Sequence, residues 1–196
     1  MEGSGMARTM AQGGRKLTHD DYLRFPDDGQ RHELVDGEHF VTPSPLRRHQ
    51  RVVENLFLLV APFVRQRQLG DLALAPLDVI LSETDVVEPD LLFTCSERLH
   101  IVQDWVRGAP DLVVEVLSPS SRRLDEVLKL ERYERFGVAE YWLVDPEAGT
   151  VKVYRREGDR FAKPSLLGLR EGERLSTPLL PGLEVALTAV FEGVLP

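Results

Sequence analysis

Glu88-Pro89-Asp90, and further on Asp111-Leu112-Val113-Val114-Glu115-Val116-Leu117-Ser118, are the two stretches from which the rest of this chain can be read. In the first, a Pro-Asp opens an apolar run. In the second, a glutamate sits in the middle of one. Apolar strands ordinarily exclude charge, because burying a carboxylate without a partner is very costly. Two carboxylates on neighbouring strands suit a divalent cation, which takes hard oxygen ligands. A centre of that kind suits metal-assisted attack on a phosphodiester.

Strand residues alternate faces. Val113, Glu115 and Leu117 therefore share one face of their strand, and Leu112, Val114 and Val116 the other. On the preceding strand Asp90, Leu92 and Thr94 share a face, so neighbouring strands would let Asp90 and Glu115 converge on one ion. Magnesium typically takes one or two carboxylates and keeps several waters; the carbonyl of Val116 is a further candidate ligand. The run Leu112 to Leu117 is nearly all apolar, which predicts a strand covered on both faces at the centre of a sheet.

Outward from that strand the punctuation is regular. Thr18-His19-Asp20-Asp21 predicts a capped short helix running to about Phe25, and Asp36-Gly37 predicts a hairpin between Arg31–Val35 and Glu38–Val41. Ser44-Pro45 predicts the start of a helix. Val52, Val53, Leu56, Leu59, Val60 and Phe63 follow at helical spacing. Pro62 predicts a kink and Gly70 a stop. Extended runs are expected at Leu72–Ala75, Asp78–Leu81 and Asp90–Phe93. Ser120-Ser121 predicts a helix ending at Gly137, followed by strands at Val138–Val144 and Val151–Tyr154 about a Pro146–Gly149 turn. From Phe161 to Leu195 only short β-like runs are expected.

At 196 residues the chain suits a single domain, residues 17–196, behind a flexible N-terminal tail, residues 1–16. No apolar run approaches the roughly 20 residues that a membrane helix needs, and the Gly-rich N-terminus lacks a signal-peptide core. Cys95 is the only cysteine, which excludes an intrachain disulfide and a cysteine-rich zinc site and fits a cytoplasmic protein. The net charge of −8 argues against nonspecific coating of nucleic acid. It leaves a nuclease open, because a metal and a local basic patch can offset global charge.

The ordered motifs resemble the Uma2 family, a group of proposed bacterial endonucleases that was formerly a domain of unknown function, and behind it the PD-(D/E)xK nuclease core. The matching pieces are His32-Glu33-Leu34-Val35-Asp36-Gly37-Glu38, Pro43-Ser44-Pro45 with His49, Glu88-Pro89-Asp90, Glu115-Val116-Leu117-Ser118-Pro119-Ser120-Ser121, Lys129 with Tyr133, and Gly137-Val138-Ala139-Glu140-Tyr141-Trp142-Leu143-Val144-Asp145-Pro146. The likeness runs from about Leu17 to Phe191. It implies an α/β fold with a restriction-endonuclease-like core, a central mixed β-sheet flanked by helices. It implies a Mg²⁺-dependent DNA endonuclease, with Mn²⁺ as a substitute, in which Asp90 and Glu115 bind the metal. Glu33 would be a further acidic site residue. The lysine that the parent pattern has two residues after the strand acid is Leu117 here, and the resemblance assigns its place to Lys129 on the following helix. A homodimer, which the family implies, would set two cutting sites on one duplex.

Each residue taken singly has a plainer reading. Asp90 could be an exposed strand start and Glu115 the partner of a buried Arg or Lys. Lys129 could be an exposed helix lysine, although it shares a stripe with Tyr133 and Phe136. Glu33 could pair within the hairpin, and His49 could be a surface histidine or a phosphate contact. Arg122-Arg123 could be a solvated pair or hold a phosphate at a helix start. Two other functions remain beside the nuclease: an inactive nuclease-fold binding or regulatory module, and a hydrolase of another phosphate ester.

Overall fold

The computed structural model describes residues 15–194 and the backbone of residues 7–9. Thr18 opens the first helix, α1 (His19–Tyr22), where its N–H donates to the Asp21 carboxylate at 2.9 Å. The expected hairpin forms from β2 (Arg31–Val35) and β3 (Glu38–Thr42). Its turn residues Asp36 and Gly37 both have positive φ, 53° and 76°, as a tight two-residue hairpin requires. An additional strand, β1 (Ala7–Thr9), pairs antiparallel with β3. Next to it Arg15 pairs with Asp21 and Lys16 with Asp36, at 2.7 and 2.6 Å. The part of the expected tail that the structure describes thus contacts the hairpin and α1; residues 1–6 and 10–14 lie outside the described residues.

The long helix α2 (Arg47–Arg67) begins two residues later than Ser44-Pro45 predicts. Pro43 and Pro45 bias the residues before them toward extended backbone, and Leu46, also extended, is the cap. The helix runs past Pro62 as one element. Pro62 removes the bond to the carbonyl of Leu58, a residue 62% exposed, where water can take its place. Gln68, at φ 54°, closes the helix instead of Gly70. Gly70 is needed for another reason: a Cβ there would meet the Thr94 carbonyl at 2.0 Å.

Strands β4 (Gly70–Leu74), β5 (Val79–Ser82), β6 (Asp85–Val87) and β7 (Leu91–Cys95) follow. After a 3-10 segment, Ser96–Ile101, come β8 (Val106–Arg107) and β9 (Leu112–Val116). The expected single helix to Phe136 is two pieces. A wider π-helical stretch, Leu124–Lys129, runs into α3 (Leu130–Phe136), which Gly137 closes at φ 89°. The chain then forms β10 (Glu140–Asp145), β11 (Thr150–Glu157), β12 (Arg160–Phe161), β13 (Ser165–Gly168), β14 (Arg174–Ser176), β15 (Glu184–Ala186) and a last short helix, α4 (Leu187–Val190).

Two sheets carry the fold. The larger has the order β12-β11-β10-β9-β7-β4, with β13 also on β11. It is mixed: β9 runs parallel to β10 and antiparallel to β7. The second has the order β1-β3-β2-β6-β5-β8. Every residue of β9 is buried, as its apolar run predicts. Its alternation divides the core. Leu112, Val114 and Val116 pack with Val52, Leu56 and Val60 of α2, whereas Val113 and Leu117 pack with Leu124, Tyr133 and Tyr141 on the α3 side. The result is an α/β fold with a central mixed sheet flanked by helices. No helix of the described residues is long and apolar enough to cross a membrane.

Candidate active site

Leu91 pairs with Val114 and Leu92 with Val113. Extending that register by one step sets Asp90 beside Glu115, on the face turned toward β2 and the π-helical stretch. The four acidic and basic residues singled out by the sequence, Glu33, Asp90, Glu115 and Lys129, all line one cleft of about 840 Å³. Their relative exposures are 1%, 3%, 2% and 1%. Charges buried to that degree require partners.

Lys129 is the partner of three carboxylates. Its Nζ lies 2.7 Å from Glu33, 2.9 Å from Glu115 and 3.4 Å from Asp125. Tyr133, one helical turn further on, donates its hydroxyl to Glu115 at 2.8 Å. Both of those donors reach Glu115 through Oε1. Glu33 also accepts the main-chain N–H of Glu88 at 2.9 Å, which ties the hairpin to the Pro-Asp strand. Leu117, where the parent pattern has its lysine, is buried among apolar side chains.

Asp90 is held differently. Oδ2 accepts the Val116 N–H at 2.8 Å and lies 3.0 Å from His49 Nε2; Oδ1 accepts from Arg31 Nη1 at 2.9 Å. Val116 thus contacts Asp90 through its N–H; the carbonyl to which the sequence pointed takes no part in that bond. His49 is not a surface histidine: it is 6% exposed, lines the cleft and leaves Nδ1 without a hydrogen-bond partner among the described residues.

These surroundings drive the two strand acids apart. Burial raises the Glu115 carboxyl well above the usual range. Lys129 counters that, while Asp125, Asp90 and Glu33 add to it. Burial pushes Asp90 up too, but His49, Arg31 and the Val116 N–H outweigh it and hold the group below the usual range. Burial and neighbouring acids raise Asp125 to about 6 and Glu88 to about 7, against the pull of Lys129 and Arg31. Burial alone would lower the Lys129 ammonium, but the surrounding carboxylates raise it well above its ordinary value, so it stays charged.

Carboxylates outnumber cations in the cleft: Asp27, Glu33, Glu88, Asp90, Glu115 and Asp125 face Arg31 and Lys129. An excess of buried acid whose protonation is favoured is the electrostatic condition that an added cation relieves. The donor chemistry fits magnesium, being oxygen throughout, with Glu115 Oε2 in neither of the Lys129 and Tyr133 bonds. Among the described residues no three His, Cys, Asp or Glu side chains are arranged as ligands of one ion. Two carboxylates with waters is nevertheless an ordinary magnesium set.

Sequence reasoning missed Asp125 and Arg31. Asp125 stands four residues before Lys129, a spacing that brings helical side chains together and could have been noticed. Arg31 lies in the quoted hairpin, but nothing local tells that it crosses to Asp90. Arg122 pairs with Asp145 at 2.9 Å, outside the cleft lining, and Trp142 is fully buried core whose indole N–H donates to Glu140.

The Uma2 family model, described as "Putative restriction endonuclease", matches residues 19–189. An uncharacterized protein of Synechocystis sp., slr1290, is 26% identical over 149 residues, which is 74% of this chain and 76% of that protein. A crystal structure described as "a putative nuclease belonging to DUF820 from Anabaena variabilis ATCC 29413" superposes with a TM-score of 0.80 at 19% identity. It covers 91% of this chain and 99% of its own. That likeness is one of fold.

Proposed function

This chain belongs to the Uma2 family, and from that membership and the buried cluster around Lys129 we propose that it is a metal-dependent endonuclease hydrolysing phosphodiester bonds in DNA. The observation that carries the reading is the convergence of Glu33, Asp90, Glu115 and Lys129 in one cleft, with more carboxylate than the local cations balance.

Asp90 and Glu115 would hold Mg²⁺ or Mn²⁺, and the Val116 carbonyl is the further candidate ligand. When bound, the metal supplies an acidified water and offsets charge on the phosphoryl oxygens. The chain's own residues have separable tasks. Lys129 offers its ammonium to the scissile phosphate or orients the attacking water. Glu33 fixes the position of Lys129 from the hairpin side, and Tyr133 fixes Glu115. His49 and the Val116 N–H keep Asp90 ionised and oriented, as groups around a metal ligand commonly do. The protein is read as cytoplasmic, where its free Cys95 stays reduced. A homodimer would set two clefts on one duplex.

A second reading has its own observation. Both oxygens of Asp90 already accept protein donors, as they would in an inactive module whose ion pairs only hold the fold. The test is cleavage of DNA in Mg²⁺ or Mn²⁺ beside a Glu115→Gln control. Metal-dependent cutting that the variant loses supports the nuclease. Equal cutting by both proteins rejects the assigned site, and no cutting by either favours the inactive module. Running other phosphate esters in parallel tests the remaining alternative.

A further inference from the structure

Three basic side chains line the cleft wall or floor, and they differ in exposure. The side chains of Lys129 and His49 are 2% and 8% exposed, and Arg31 is 22% exposed. Arg31 opens β2, directly after the turn in which Asp27, Gly29 and Gln30 also line the cleft. Of the three, the Arg31 guanidinium is the most open to solvent.

Among the described residues the guanidinium is not fully used. It reaches Asp90 through Nη1 alone, at 2.9 Å, and its Nε stands 3.7 Å from Glu88, beyond hydrogen-bond range. Nη2 takes part in neither contact. An arginine fork is built for a two-oxygen anion, binding carboxylate or phosphate through parallel N–H donors. Arg31 serves Asp90 Oδ1 with one N–H, while His49 and the Val116 N–H serve the other oxygen, so Asp90 occupies only part of the fork. Nearby carboxylates also keep the guanidinium charged in spite of burial.

We propose that Arg31 is a phosphodiester-binding residue of this cleft, contacting a phosphate of the nucleic-acid strand through the part of its guanidinium that faces away from Asp90. The proposal rests on the nuclease reading for its substrate class but not for its readout, which is binding. It gives the acidic cleft a polar contact that a polyanion can use.

The test measures the affinity of Glu115→Gln for a short labelled single-stranded oligonucleotide and for its duplex, in magnesium, across a salt series. The same is done for Glu115→Gln combined with Arg31→Gln or with Arg31→Lys. Arg31→Gln should weaken binding by about tenfold or more, the size of one lost charge-assisted contact. Its log–log salt slope should be shallower by about 0.7–0.9, the share of one phosphate. Arg31→Lys should keep the slope and lose part of the affinity, since it keeps the charge and loses the fork. Unchanged affinity and slope in the Gln variant overturns the proposal, as does absence of binding by Glu115→Gln itself. If Arg31→Gln fails to fold, Arg31→Lys decides: affinity equal to its parent is then the overturning result. Arg31-dependent binding by a protein whose wild type cuts no DNA would support this proposal and remove the nuclease reading alone.

Discussion

Lys129 Nζ lies 2.9 Å from the Glu115 carboxylate, and both side chains are 2% exposed. The lysine stands fourteen residues after Glu115, on the helical stretch that follows the strand, instead of at position 117. The long stem of lysine lets a helix packed on the sheet deliver a charge to the strand face. Leu117 is thereby left to the apolar core.

Removing that charge should be costly in two ways. Lys129→Ala leaves Glu33, Glu115 and Asp125 buried without their shared cation, and breaking a buried pair from one side typically costs about 3–5 kcal/mol. Chemical denaturation in chelator measures this. Turnover should fall more than metal affinity, because the proposed role of Lys129 is at the phosphate. The double variant Leu117→Lys with Lys129→Ala should recover part of the turnover, since position 117 lies on the same strand face as Glu115. Wild-type turnover in Lys129→Ala would remove the lysine from the mechanism.

Stability should depend on pH in a way that reports the crowded acids. Asp125 and Glu88 are raised to about 6 and about 7, against unfolded values of roughly 3.9 and 4.3. Between those values the native state binds more protons than the unfolded one. Their contribution is therefore present at low pH and lost as pH rises through the folded values. Asp90 is shifted down, so its contribution is present above roughly 3.9 and lost as pH falls below it. In chelator, the melting temperature should climb from about pH 8 to about pH 5 and drop again below about pH 4. A curve that is flat or highest at the alkaline end contradicts this electrostatic picture.

Asp125→Asn tests the residue that sequence reasoning passed over. Asp125 holds Lys129 at 3.4 Å and sits on the π-helical stretch, a feature often found at functional sites. The variant should keep or slightly raise stability in chelator at neutral pH, because it removes an acid whose ionised form is disfavoured. Its kcat should fall several-fold, while KM and metal affinity change little. Unaltered kcat would make Asp125 a structural partner only.

Metal should stabilise the wild type by linkage, by about 2.7 kcal/mol at a concentration roughly 100-fold above its dissociation constant. Glu115→Gln should lose most of that response while retaining its fold, since an amide can still accept the Tyr133 hydroxyl. Melts of both proteins in chelator and then in a metal series show it. Equal shifts in the two proteins would put the ion elsewhere.

What the sequence revealed and what it concealed follow from the range of the interactions. The central strand, the division of its two faces and the hairpin at Asp36-Gly37 are local patterns, and they appear in the structure as read. The place of Lys129 in one site with Glu115 followed from a resemblance and from a helical stripe shared with Tyr133; their direct ion pair was not read from the sequence. Arg31 and His49 on Asp90 are contacts between distant segments, and no spacing records them. The late start of α2 reflects how Pro43 and Pro45 act together, and β6 is too short, at three residues, to leave a period. The π-helical turn has no sequence signal in Leu124–Lys129 that distinguishes it from an ordinary helix.

The most direct measurement is cleavage of a labelled DNA substrate by wild type and Glu115→Gln, each in chelator, in Mg²⁺ and in Mn²⁺. Glu115→Gln should first be shown to melt as one folded species. Wild type should cut only when metal is present, and the variant under no condition. Cutting by the wild type in chelator, or by Glu115→Gln at the wild-type rate, would contradict that expectation.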